Sequence, residues 1–474
     1  MNPVTLMWFR QDLRLQDNPA LTAAISDGHV LPIYILDDTN AGAWQLGAAS
    51  RWWLHHSLQQ LDKTLDHKLW LFQGDPQRII RQLISEHGIG TVYWNRCYEP
   101  WRINRDKGIK AELEKAGVAV HSFNASLLSE PWMNLKQDDT PYKVFTPFYK
   151  KCIQQLSDID PLKLDSDTLT LIPCQQKQGK IESLNLLPKI AWYKQMEKIW
   201  SPGEAGAHER LIRFIQSGIE NYKTGRDFPS LNAVSRISPH LHFGEISPRQ
   251  ILANVAQATH GHQIEGQVEH YHRELAWREF SYSLLYHYPE ITTQNMNRNF
   301  DRFPWMNNAK LLSIWQQGKT GYPIIDAGMR ELWNTGYMHN RVRMIVASFL
   351  VKNLGIPWQR GAEWFWDCLL DADLANNSCS WQWVAGCGTD AAPYFRIFNP
   401  VTQSQKFDAK GEYIRAYVPE LRNCPDKLIH DPGSADETEL AKHGIRLGRD
   451  YPRPVVDLKE SREAALNAYK SLKE

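Results

Sequence analysis

The segment VTLMWFRQDLR at residues 4–14 sets the fold of the first part of this 474-residue chain. Its apolar start predicts a buried strand over Val4–Phe9, and the polar residues after it predict a loop. Four more short apolar runs follow, separated by stretches with helical periodicity. The further strands predicted are Val30–Leu36, Leu69–Phe72, Thr91–Asn95 and Val118–Phe123, and the helices between them are Asn18–Ser26, Ala49–Leu65, Pro76–His87 and Trp101–Ala116.

Strands that alternate with helices of this length form βαβ units. Residues 1–130 are therefore predicted to be an α/β domain with a doubly wound, Rossmann-like parallel sheet. No GxGxxG motif follows the first strand, where the chain reads WFRQD at residues 8–12. Because that glycine pattern lets a dinucleotide approach the backbone, its absence argues against a nicotinamide-dependent dehydrogenase. A ligand of this domain is expected at the carboxyl ends of the strands.

The rest of the chain has a different pattern. Residues 131–200 lack a clear period and are predicted to be a long connector, partly ordered by aromatic anchors at 142–148. Residues 201–474 follow a 3.6-residue period, which predicts an all-α domain. Its helices are expected at 204–218, 247–258, 264–288, 309–317, 322–335, 338–353 and 360–370.

Composition limits the classes of function. Lysine and arginine total 54 and aspartate and glutamate total 53, so a surface for nucleic acid must be a local patch. The seven cysteines form no CxxC pair, which argues against a disulfide framework or a structural zinc site, and we predict no metal centre. No apolar run has the length of a membrane span and no leader pattern follows Met1, so we expect a cytoplasmic protein.

The aromatic content is unusual, with 19 Trp, 18 Tyr and 16 Phe. Most of these side chains are expected in the core, since each buries a large apolar area. An indole also needs a partner for its N–H group. Tryptophans clustered in the helical part can therefore serve instead as stacking surfaces for bases or a flavin, or as carriers of electrons.

The first cluster of interest in the helical part is the loop segment VSRIS at residues 234–238, with Tyr222 and Arg226 before it. Hydroxyl groups, backbone N–H groups and arginine can together hold an anion. A capped loop without a ligand has the same composition. The segment thus predicts either a phosphate cradle or an ordinary turn.

Two helical segments carry the next clusters. Glu274, Trp277 and Arg278 share one helix face, which predicts either a surface ion pair beside a core indole or a pocket wall that contacts a polar ring. Further along, Asn340 and Arg343 share a face of a helix that starts near residue 338, together with Met344. An amide and arginines at the start of an apolar helix need anionic or heteroaromatic partners, whereas His339 there is expected to be structural.

The fourth cluster is the segment DADLANNSCSWQWVAGCGTDAAPYFRIFNP at residues 371–400. Many polar side chains stand here among aromatic ones, although each unpaired buried polar group costs roughly 1–3 kcal/mol. The mixture predicts a pocket for a large, flat ligand with a polar edge. Asp371 and Asp373 either cap a helix or, with Arg343, bind the edge of a ring that carries hydrogen-bond donors.

Six motifs in one order make this pattern specific. They are WFRQDLRLQDNPAL (8–21), SRISPHLHFGEISP (235–248), ELAWREF (274–280), KTGYPIIDAGMREL (319–332), MHNRVRM (338–344) and the block at 371–400. Together they resemble the DNA photolyase/cryptochrome family, and bacterial cyclobutane pyrimidine dimer photolyases most closely. The resemblance covers nearly the whole chain. It implies an antenna-chromophore α/β domain and a helical domain that holds FAD in a bent conformation.

The resemblance also implies roles for individual residues. The positions that match FAD contacts are Tyr222, Val234, Ser235, Arg236, Ile237, Ser238, Arg278, Arg343, Asp371, Asp373 and Asn377. The lesion pocket is matched by Glu274, Trp277, Asn340 and Met344, and DNA contacts by Arg226, Glu274, Trp277, Asn340, Arg341, Trp383 and Gln403. The electron relay to the flavin is matched by Trp381, Trp358 and Trp305.

The implied activity is light-driven repair of cyclobutane pyrimidine dimers by electron transfer from photoexcited, reduced FAD. A dimer must leave the duplex to reach a buried flavin, which costs least at a poorly paired lesion. The residues His339-Asn340, Met344 and Trp383 differ from those of (6–4) photolyases and of the single-strand-preferring cryptochromes. The alternative is a cryptochrome-type blue-light photoreceptor without repair activity, and a non-catalytic flavin- or DNA-binding module is a third reading.

A second, antenna chromophore is implied against the α/β domain, either a deazaflavin or a methenyltetrahydrofolate. Arg51 and Glu99 match the deazaflavin type, although they could equally form a surface ion pair, and Cys97 replaces an acid of that group. Two further departures are Val234, where a hydroxyl residue is common, and Cys379, where glycine is usual. The expected partner is UV-damaged DNA, with no membrane, no obligate protein partner and a monomeric state.

Overall fold

Five parallel strands form the sheet of the first domain. The computed structural model describes residues 3–154, 160–165, 168–173, 180–390 and 395–472. The strand order is β3-β2-β1-β4-β5, as the sequence predicted for a doubly wound sheet. The bounds are β1 Val4–Phe9, β2 His29–Leu36, β3 Trp70–Gln73, β4 Thr91–Asn95 and β5 Ala119–Phe123, and the helices between them are α1 Pro19–Asp27, α2 Ala48–Thr64, α3 Pro76–His87 and α4 Pro100–Lys115.

The middle of the sheet lies at β1, which pairs in parallel with β2 on one side and with β4 on the other. From β1, the next two strands in sequence, β2 and β3, lie on one side of β1. The chain then crosses over, and β4 and β5 lie on the other side. The strand order therefore reverses next to β1, and the crevice at such a point is where α/β sheets bind ligands. A cavity opens there, at the carboxyl ends of β1 and β2, and Trp8, Tyr34 and Trp101 are among its lining residues.

The connector contains a helix that the sequence prediction missed. Helix α5 spans Phe145–Ile153 and buries Phe145, Phe148, Tyr149 and Cys152. These positions have the i, i+3, i+4, i+7 spacing of one helix face. The prediction of a connector without period was wrong here, because nine residues flanked by polar segments were too few for their period to be noticed.

The remainder is helical, as predicted. Its helices are α6 Glu204–Ser217, α7 Tyr222–Gly225, α8 Ser238–His242, α9 Pro248–Thr259, α10 Glu265–His287, α11 Ala309–Gln316, α12 Pro323–Thr335, α13 Asn340–Ser348, α14 Trp358–Cys368, α15 Leu374–Ala385, α16 Pro400–Phe407, α17 Glu412–Tyr417, α18 Asp426–Ile429, α19 Glu437–Lys442 and α20 Leu458–Ser471. A π-helical turn, Phe349–Asn353, continues α13. Beyond residue 200, the described ranges contain no strand apart from one isolated bridge between Leu447 and Tyr451.

Close packing of α14 against α15 fixes the centre of the helical domain. A Cβ atom on Gly361 of α14 would lie 2.0 Å from Cη2 of Trp381 on α15. Only glycine therefore allows the two helices to approach this closely, since interiors pack without spare volume. Trp381, Phe365 and Trp315 then form one aromatic group, in which ring centroids are 5.0 to 6.3 Å apart.

Buried hydrogen bonds join the two domains. The carboxylate of Glu245 accepts from the indole N–H of Trp53 on α2 at 3.0 Å and from the backbone N–H of Gly203 at 2.7 Å. The hydroxyl of Ser50 donates to the carbonyl of Leu369 at 3.1 Å. These bonds seat α2 against the helical domain. None of the helices in the described ranges is both long and apolar enough to span a membrane.

Candidate functional site

The residues that the sequence singled out lie mainly on four elements that pack together. These elements are the loop before α8, helix α10, the start of α13, and the Asp371–Asp373 turn with α15. Helix α10 touches α7 and α15, and α13 touches α15. Residues up to 150 positions apart in sequence therefore surround one region of the helical domain.

Asp371 joins two of these elements. Its Oδ2 atom accepts a hydrogen bond from the Ser238 hydroxyl at 2.6 Å, and its two oxygens accept from Nη2 of Arg343 at 3.0 and 2.9 Å. The Nε atom of Arg343 donates to the Met338 carbonyl at 2.7 Å. Burial alone would lower the pKa of Arg343, but the charge and hydrogen bond of Asp371, together with Tyr337 and Glu331, outweigh burial and raise the pKa. The arginine is thus a fixed cation.

A second group of cations surrounds Tyr337. The guanidinium carbons of Arg236 and Arg343 lie 5.2 and 5.3 Å from the centroid of its ring. Arg236 adopts a left-handed backbone with φ of 50°, which a non-glycine residue rarely does. Burial and the charge of Arg236 lower the pKa of His339 to about 3, so this ring is neutral. The buried atoms Nε of Arg236 and Nε2 of His339 have no hydrogen-bond partner among the residues that the structure describes.

Asp373 caps a helix, which was one of the two alternatives predicted for it, and it also binds a tyrosine. Its carboxylate accepts from the backbone N–H of Asn376 at 2.8 Å, which caps α15, and also accepts from the hydroxyl of Tyr282 on α10. Burial would raise the pKa of Asp373, but His242, Arg278 and the backbone N–H of Asn376 together more than offset this and lower it. The guanidinium of Arg278 stands 4.8 Å from the ring of Tyr282.

Asn377 and Cys379 both lie in the first turns of α15. The side-chain amide of Asn377 donates to the carbonyl of Ala362 on α14 at 3.0 Å. The thiol of Cys379 lies 3.9 Å from the carbonyl oxygen of Ser281 on α10, and burial raises its pKa to about 12. Cysteine at this position thus leaves the helix regular and contributes a neutral thiol to the contact with α10.

Ion pairs connect the next group of predicted residues. Arg226 pairs with Glu274, and its guanidinium lies 5.5 Å from the ring centroid of Tyr222. The alternative of a surface pair between Glu274 and its helix neighbour Arg278 was therefore wrong. Arg278 donates instead to the carbonyl of Ser126, which follows β5, at 2.7 Å.

The start of α13 carries a second ion pair. Arg341 binds Asp227 at 2.7 Å and lies 4.4 Å from the ring centroid of Phe407, which ends α16. Its Nη1 atom is 3.9 Å from the sulfur of Met344, and Asn340 is exposed. These residues leave polar groups at the surface beside the buried Arg343–Asp371 pair.

Three aromatic and polar residues complete the predicted contact set. Trp277 stacks on Phe145, with ring centroids 3.7 Å apart and planes within 6°. The indole N–H of Trp383 donates to the carbonyl of Asp390 at 3.0 Å, and the ring is half-buried. Gln403 is half-buried on α16. Val234 and Ile237 pack in the apolar cluster beneath the loop before α8.

The three tryptophans of the predicted relay belong to one apolar cluster. Trp381 and Trp358 are buried and Trp305 packs half-buried against the same cluster. Trp358 opens α14 three residues before Gly361, the contact point of Trp381, and its indole donates to Asn295 at 2.8 Å. Met306, next to Trp305, donates its backbone N–H to Gly355 at 2.8 Å. Trp305 is the most exposed of the three.

The residues predicted for an antenna chromophore have other partners. Arg51 pairs with Asp38 at 2.7 Å, and Arg102 pairs with Glu99 at 3.4 Å, which leaves the second oxygen of Glu99 buried without a partner. The surface pair between Arg51 and Glu99 was thus wrong. The cavity at the strand ends is lined by Trp8, Arg10, Tyr34, Ile35, Leu36, Asp37, Asp38, Ala41, Trp44, Leu46, Trp101, Arg102 and Arg105.

Sequence reasoning missed several residues of these sites. Tyr282 binds Asp373, Asp227 binds Arg341, and Phe145 covers Trp277. Tyr282 follows Arg278 by one helical turn, a spacing that marks it as a neighbour. Asp37 and Asp38 directly follow β2, and the carboxyl ends of parallel strands are where the sequence predicted a ligand, so their position could have identified them as cavity residues. No such signal identified Phe145, which lies in the connector.

Two family models match this chain. The model described as the DNA photolyase domain matches residues 5–166, and the one described as the FAD binding domain of DNA photolyase matches residues 271–471. The chain therefore has a DNA photolyase domain and an FAD-binding domain of the photolyase type. The FAD-binding match includes Arg278, Arg343 and the Asp371–Asp373 turn.

Individual relatives agree with these matches over nearly the whole of this chain. The deoxyribodipyrimidine photo-lyase of Agrobacterium fabrum is 47% identical, with 99% of this chain and 98% of the relative covered. Cryptochrome-1 of Arabidopsis thaliana is 35% identical, with 97% and 69% covered. The crystal structure of a bacterial class III photolyase from Agrobacterium tumefaciens superposes with a TM-score of 0.95 at 45% identity and covers 100% of this chain and 98% of that one. The chain belongs to the DNA photolyase family.

Proposed function

We propose that this protein repairs cyclobutane pyrimidine dimers in DNA with the energy of light, as a deoxyribodipyrimidine photo-lyase. One observation supports the proposal most: a single turn of α10 carries Glu274 and Trp277, which are proposed for the lesion pocket, and Arg278, which is proposed as a flavin contact. Electron transfer falls off steeply with distance, so a donor and its acceptor must lie this close. The photo-lyase of Agrobacterium fabrum, 47% identical, supports this proposal.

The residues fit FAD as the cofactor. The ligand needs acceptors for its ring and cations for its pyrophosphate, and the site offers Asp371 and Asp373 beside Arg278 and Arg343. The unpartnered buried Nε atom of Arg236 supports an anionic ligand here, since such a group is costly without one. When bound and reduced, FAD supplies one electron on excitation and takes it back after the dimer has split. The proposed contacts are Tyr222, Val234, Ser235, Arg236, Ile237, Ser238, Arg278, Arg343, Asp371, Asp373 and Asn377.

The chain positions the DNA around this cofactor. Arg226, Arg341 and Gln403 are proposed to hold backbone phosphates, with affinity that falls as salt rises. Trp277 and Trp383 are proposed to stack on the flipped dimer, and base–aromatic stacking is worth about 1–3 kcal/mol per base. Asn340 and Met344 then line the pocket beside them. A DNA phosphate that binds Arg226 would replace Glu274 as the partner of this guanidinium.

Glu274 is proposed to act on the dimer itself. Once a phosphate has replaced it at Arg226 and it has taken up a proton, its carboxyl O–H can donate to the pyrimidine carbonyl where negative charge develops, which stabilises the charged state of the ring. Glu274→Ala is then expected to lower the number of dimers split per absorbed photon and to leave the FAD content unchanged. Glu209→Ala, at an exposed position on α6, is the control.

The experiment uses a dimer-containing oligonucleotide, a measured photon dose and the absorbance of bound flavin. An unchanged quantum yield in Glu274→Ala contradicts the role of this residue. If the native protein itself binds FAD and responds to blue light but splits no dimers, the alternative of a cryptochrome-type photoreceptor replaces repair.

The electron relay is proposed to run through Trp381, Trp358 and Trp305. Its task is to reduce oxidised FAD from the surface rather than to repair the dimer. Trp358→Phe is expected to slow photoreduction strongly, because phenylalanine is far harder to oxidise. Repair by enzyme that has been reduced chemically should be unchanged, which separates the two steps. Equal photoreduction in both proteins would remove Trp358 from the relay.

An antenna chromophore is proposed at the cavity between the carboxyl ends of β1 and β2. A deazaflavin is favoured over methenyltetrahydrofolate, with Arg51 and Glu99 at its margin. The unpartnered oxygen of Glu99 supports a polar ligand near α4. Mass spectrometry of the chromophores released from the purified protein decides between the two.

The proposed setting is the cytoplasm, and the proposed working form is a monomer without an obligate protein partner. The free thiols of the six cysteines in the described ranges support a reducing compartment. Light scattering of the purified protein with and without damaged DNA tests the monomeric state.

A further inference from the structure

A buried histidine lies at the end of α8, beside the proposed flavin site. His242 is 5% exposed, and neither nitrogen of its ring has a hydrogen-bond partner among the described residues. Its Nδ1 atom lies 3.8 Å from Oδ2 of Asp373, which is too long for a hydrogen bond but close enough for two charges to interact. A buried polar ring without such bonds needs an explanation, and the repair reaction proposed above does not use His242.

Helix α8 places His242 beside the turn that carries the two carboxylates of the site. Ser238 begins the helix and donates to Asp371, and His242 ends the helix next to Asp373. The two residues are four positions apart and therefore share one face of α8. An edge-to-face contact with Phe243, with ring centroids 4.7 Å apart, also holds the imidazole. Its position relative to Asp373 is thus fixed by the same short helix that binds Asp371.

The other side chains around Asp373 cannot gain a proton near neutrality. Burial, followed by the charge of Asp373, raises the pKa of the Tyr282 hydroxyl, which donates to the same carboxylate oxygen. Burial also raises the pKa of the Cys379 thiol to about 12. The guanidinium of Arg278 is protonated at any pH of interest. Among the described side chains that interact with this carboxylate, only the imidazole of His242 can therefore take up a proton.

Charged groups on the other elements next to α8 have partners of their own. His240, on the same helix, forms a buried pair with Glu245. From the loop after β1, Arg14 donates to a backbone carbonyl just beyond α8, and its guanidinium lies 3.9 Å from Asp17. The charge state of His242 is therefore set mainly by the carboxylate beside it and by the ligand of the adjoining pocket.

Reduction of a bound flavin brings negative charge into a pocket that already holds Asp371 and Asp373. A nearby negative charge favours the protonated form of an imidazole, a group that ordinarily titrates between about pH 5 and pH 8. The coupling is reciprocal. If reduction raises the proton affinity of His242, then a proton on His242 makes reduction easier by the same free energy.

We propose that His242 takes up a proton from solvent when the flavin is reduced, in addition to any proton that the flavin binds, so that its imidazolium offsets the added charge. The ring nitrogen that carries no proton in the neutral imidazole accepts it. The electrons come from an external reductant or, in light, from the proposed tryptophan relay. His242 acts through Asp373 and is thus a positioning residue. The inference rests on the proposed function, because that function places the flavin beside Asp373.

The test is a potentiometric titration of the FAD-loaded protein with mediator dyes at several values between about pH 5 and pH 8. The midpoint potential of the native protein should fall more steeply with pH than that of His242→Gln, because the native protein binds more protons on reduction. His260→Gln, the same substitution at an exposed position after α9, is the matched control and should keep the native slope. Glu279, whose pKa burial raises to about 7, is present in all three proteins, so its contribution cancels.

A lysine at position 242 separates the effect of charge from that of packing. Next to Asp373 its ammonium should stay protonated over the whole range. His242→Lys should therefore match the native potential at the acid end of the range and exceed it at the alkaline end. His242→Gln, which carries no charge, should match the native potential at the alkaline end and lie below it at the acid end. A change in packing alone would shift the potential by the same amount at every pH.

The outcomes distinguish the inference from the function on which it rests. Equal slopes in His242→Gln and His260→Gln overturn the inference. If His242→Gln loses its flavin, His242→Asn, whose amide stands near the place of Nδ1, should lack the additional slope, and a native slope in it overturns the inference too. A native potential whose slope does not change anywhere in this pH range does so without any variant. A native protein that shows the expected slopes but splits no dimers contradicts repair and leaves the role of His242 intact.

Discussion

The indole of Trp277 lies face to face with the ring of Phe145, at a centroid distance of 3.7 Å. One residue belongs to the long helix α10 and the other opens the helix in the connector. The connector thus fixes the angle of the ring that is proposed to stack on the lesion. One face of the indole is already covered, so only the other face is free for a base.

We expect Phe145→Leu to loosen Trp277 without emptying the flavin site. The stack is worth about 0.5–1.5 kcal/mol beyond the area it buries, and leucine keeps most of the volume. Affinity for a dimer-containing oligonucleotide should fall severalfold, while the absorbance of bound FAD stays constant. Titration of damaged DNA into both proteins measures the change. A native affinity would show that Trp277 keeps its angle without Phe145.

Asp371→Asn tests the ion pair with Arg343 at the proposed flavin site. The variant removes the charge that faces Arg343, whose side chain is 25% exposed, and loss of one partner of such a half-buried pair costs about 1–3 kcal/mol. We expect a lower midpoint of thermal unfolding and a purified protein with substoichiometric FAD. Glu363→Gln breaks the exposed pair with Arg360, whose side chains are 62% and 51% exposed, and should change stability by less than about 1 kcal/mol. Equal flavin content in both variants would contradict the role of Asp371.

Gly361→Ala tests the close approach of α14 and α15. The added methyl group meets the Trp381 ring at 2.0 Å, so the indole or a helix must move. Overpacking of this kind costs about 1–3 kcal/mol, and displacement of Trp381 should slow photoreduction of FAD. Gly108→Ala adds the same methyl group to α4 where no atom lies within 4 Å, and it should be neutral or slightly stabilising. Native photoreduction in Gly361→Ala would show that the relay tolerates the shift.

The pH dependence of stability should report on Glu279. Its carboxylate accepts from the backbone N–H of Leu128 at 2.9 Å, and burial raises its pKa to about 7 from an ordinary value of 4.5. Between pH 4.5 and about pH 7, Glu279 therefore stays protonated in the folded protein but is ionised in the unfolded chain. The free energy of unfolding should decrease by about 3 kcal/mol as pH rises through this range.

Glu279→Gln, which keeps the shape and carries no charge, should lack this decline. The free energy of unfolding of the variant relative to the native protein should thus increase from pH 5 to pH 7.5. Urea unfolding of both holoenzymes at four pH values measures it. Parallel curves would show that Glu279 is charged throughout.

Local patterns in the sequence predicted most of the fold. The bounds of β1 and β4 are those predicted, and the other strands differ by one residue, because buried parallel strands are continuous apolar runs. The seven predicted helices of the second domain begin and end within two residues of the observed ones, once the π-helical turn is counted with α13. These features depend on residues close in sequence.

The contacts of the site could be predicted only in part, because they depend on the relative placement of distant segments. Spacing placed Glu274 and Arg278 on one face of α10 but could not show that Glu274 pairs with Arg226, 48 positions away. Asp373 was expected either to cap a helix or to bind a ring edge. It caps α15 and also accepts from Tyr282, since a carboxylate has room for several donors.

Helix α10 also determines how this protein can be recombined with its relatives. Arg278 donates to the carbonyl of Ser126, and Glu279 accepts from the backbone of Leu128 and Ser129, all in the first residues after the sheet. Exchange of the N-terminal domain at residue 130 would therefore replace half of a hydrogen-bonded unit that adjoins the flavin site. A chimera joined before Ser126 keeps this unit within one parent. The boundary at which the N-terminal domain can be exchanged is thus set by these buried polar contacts rather than by the end of the last strand.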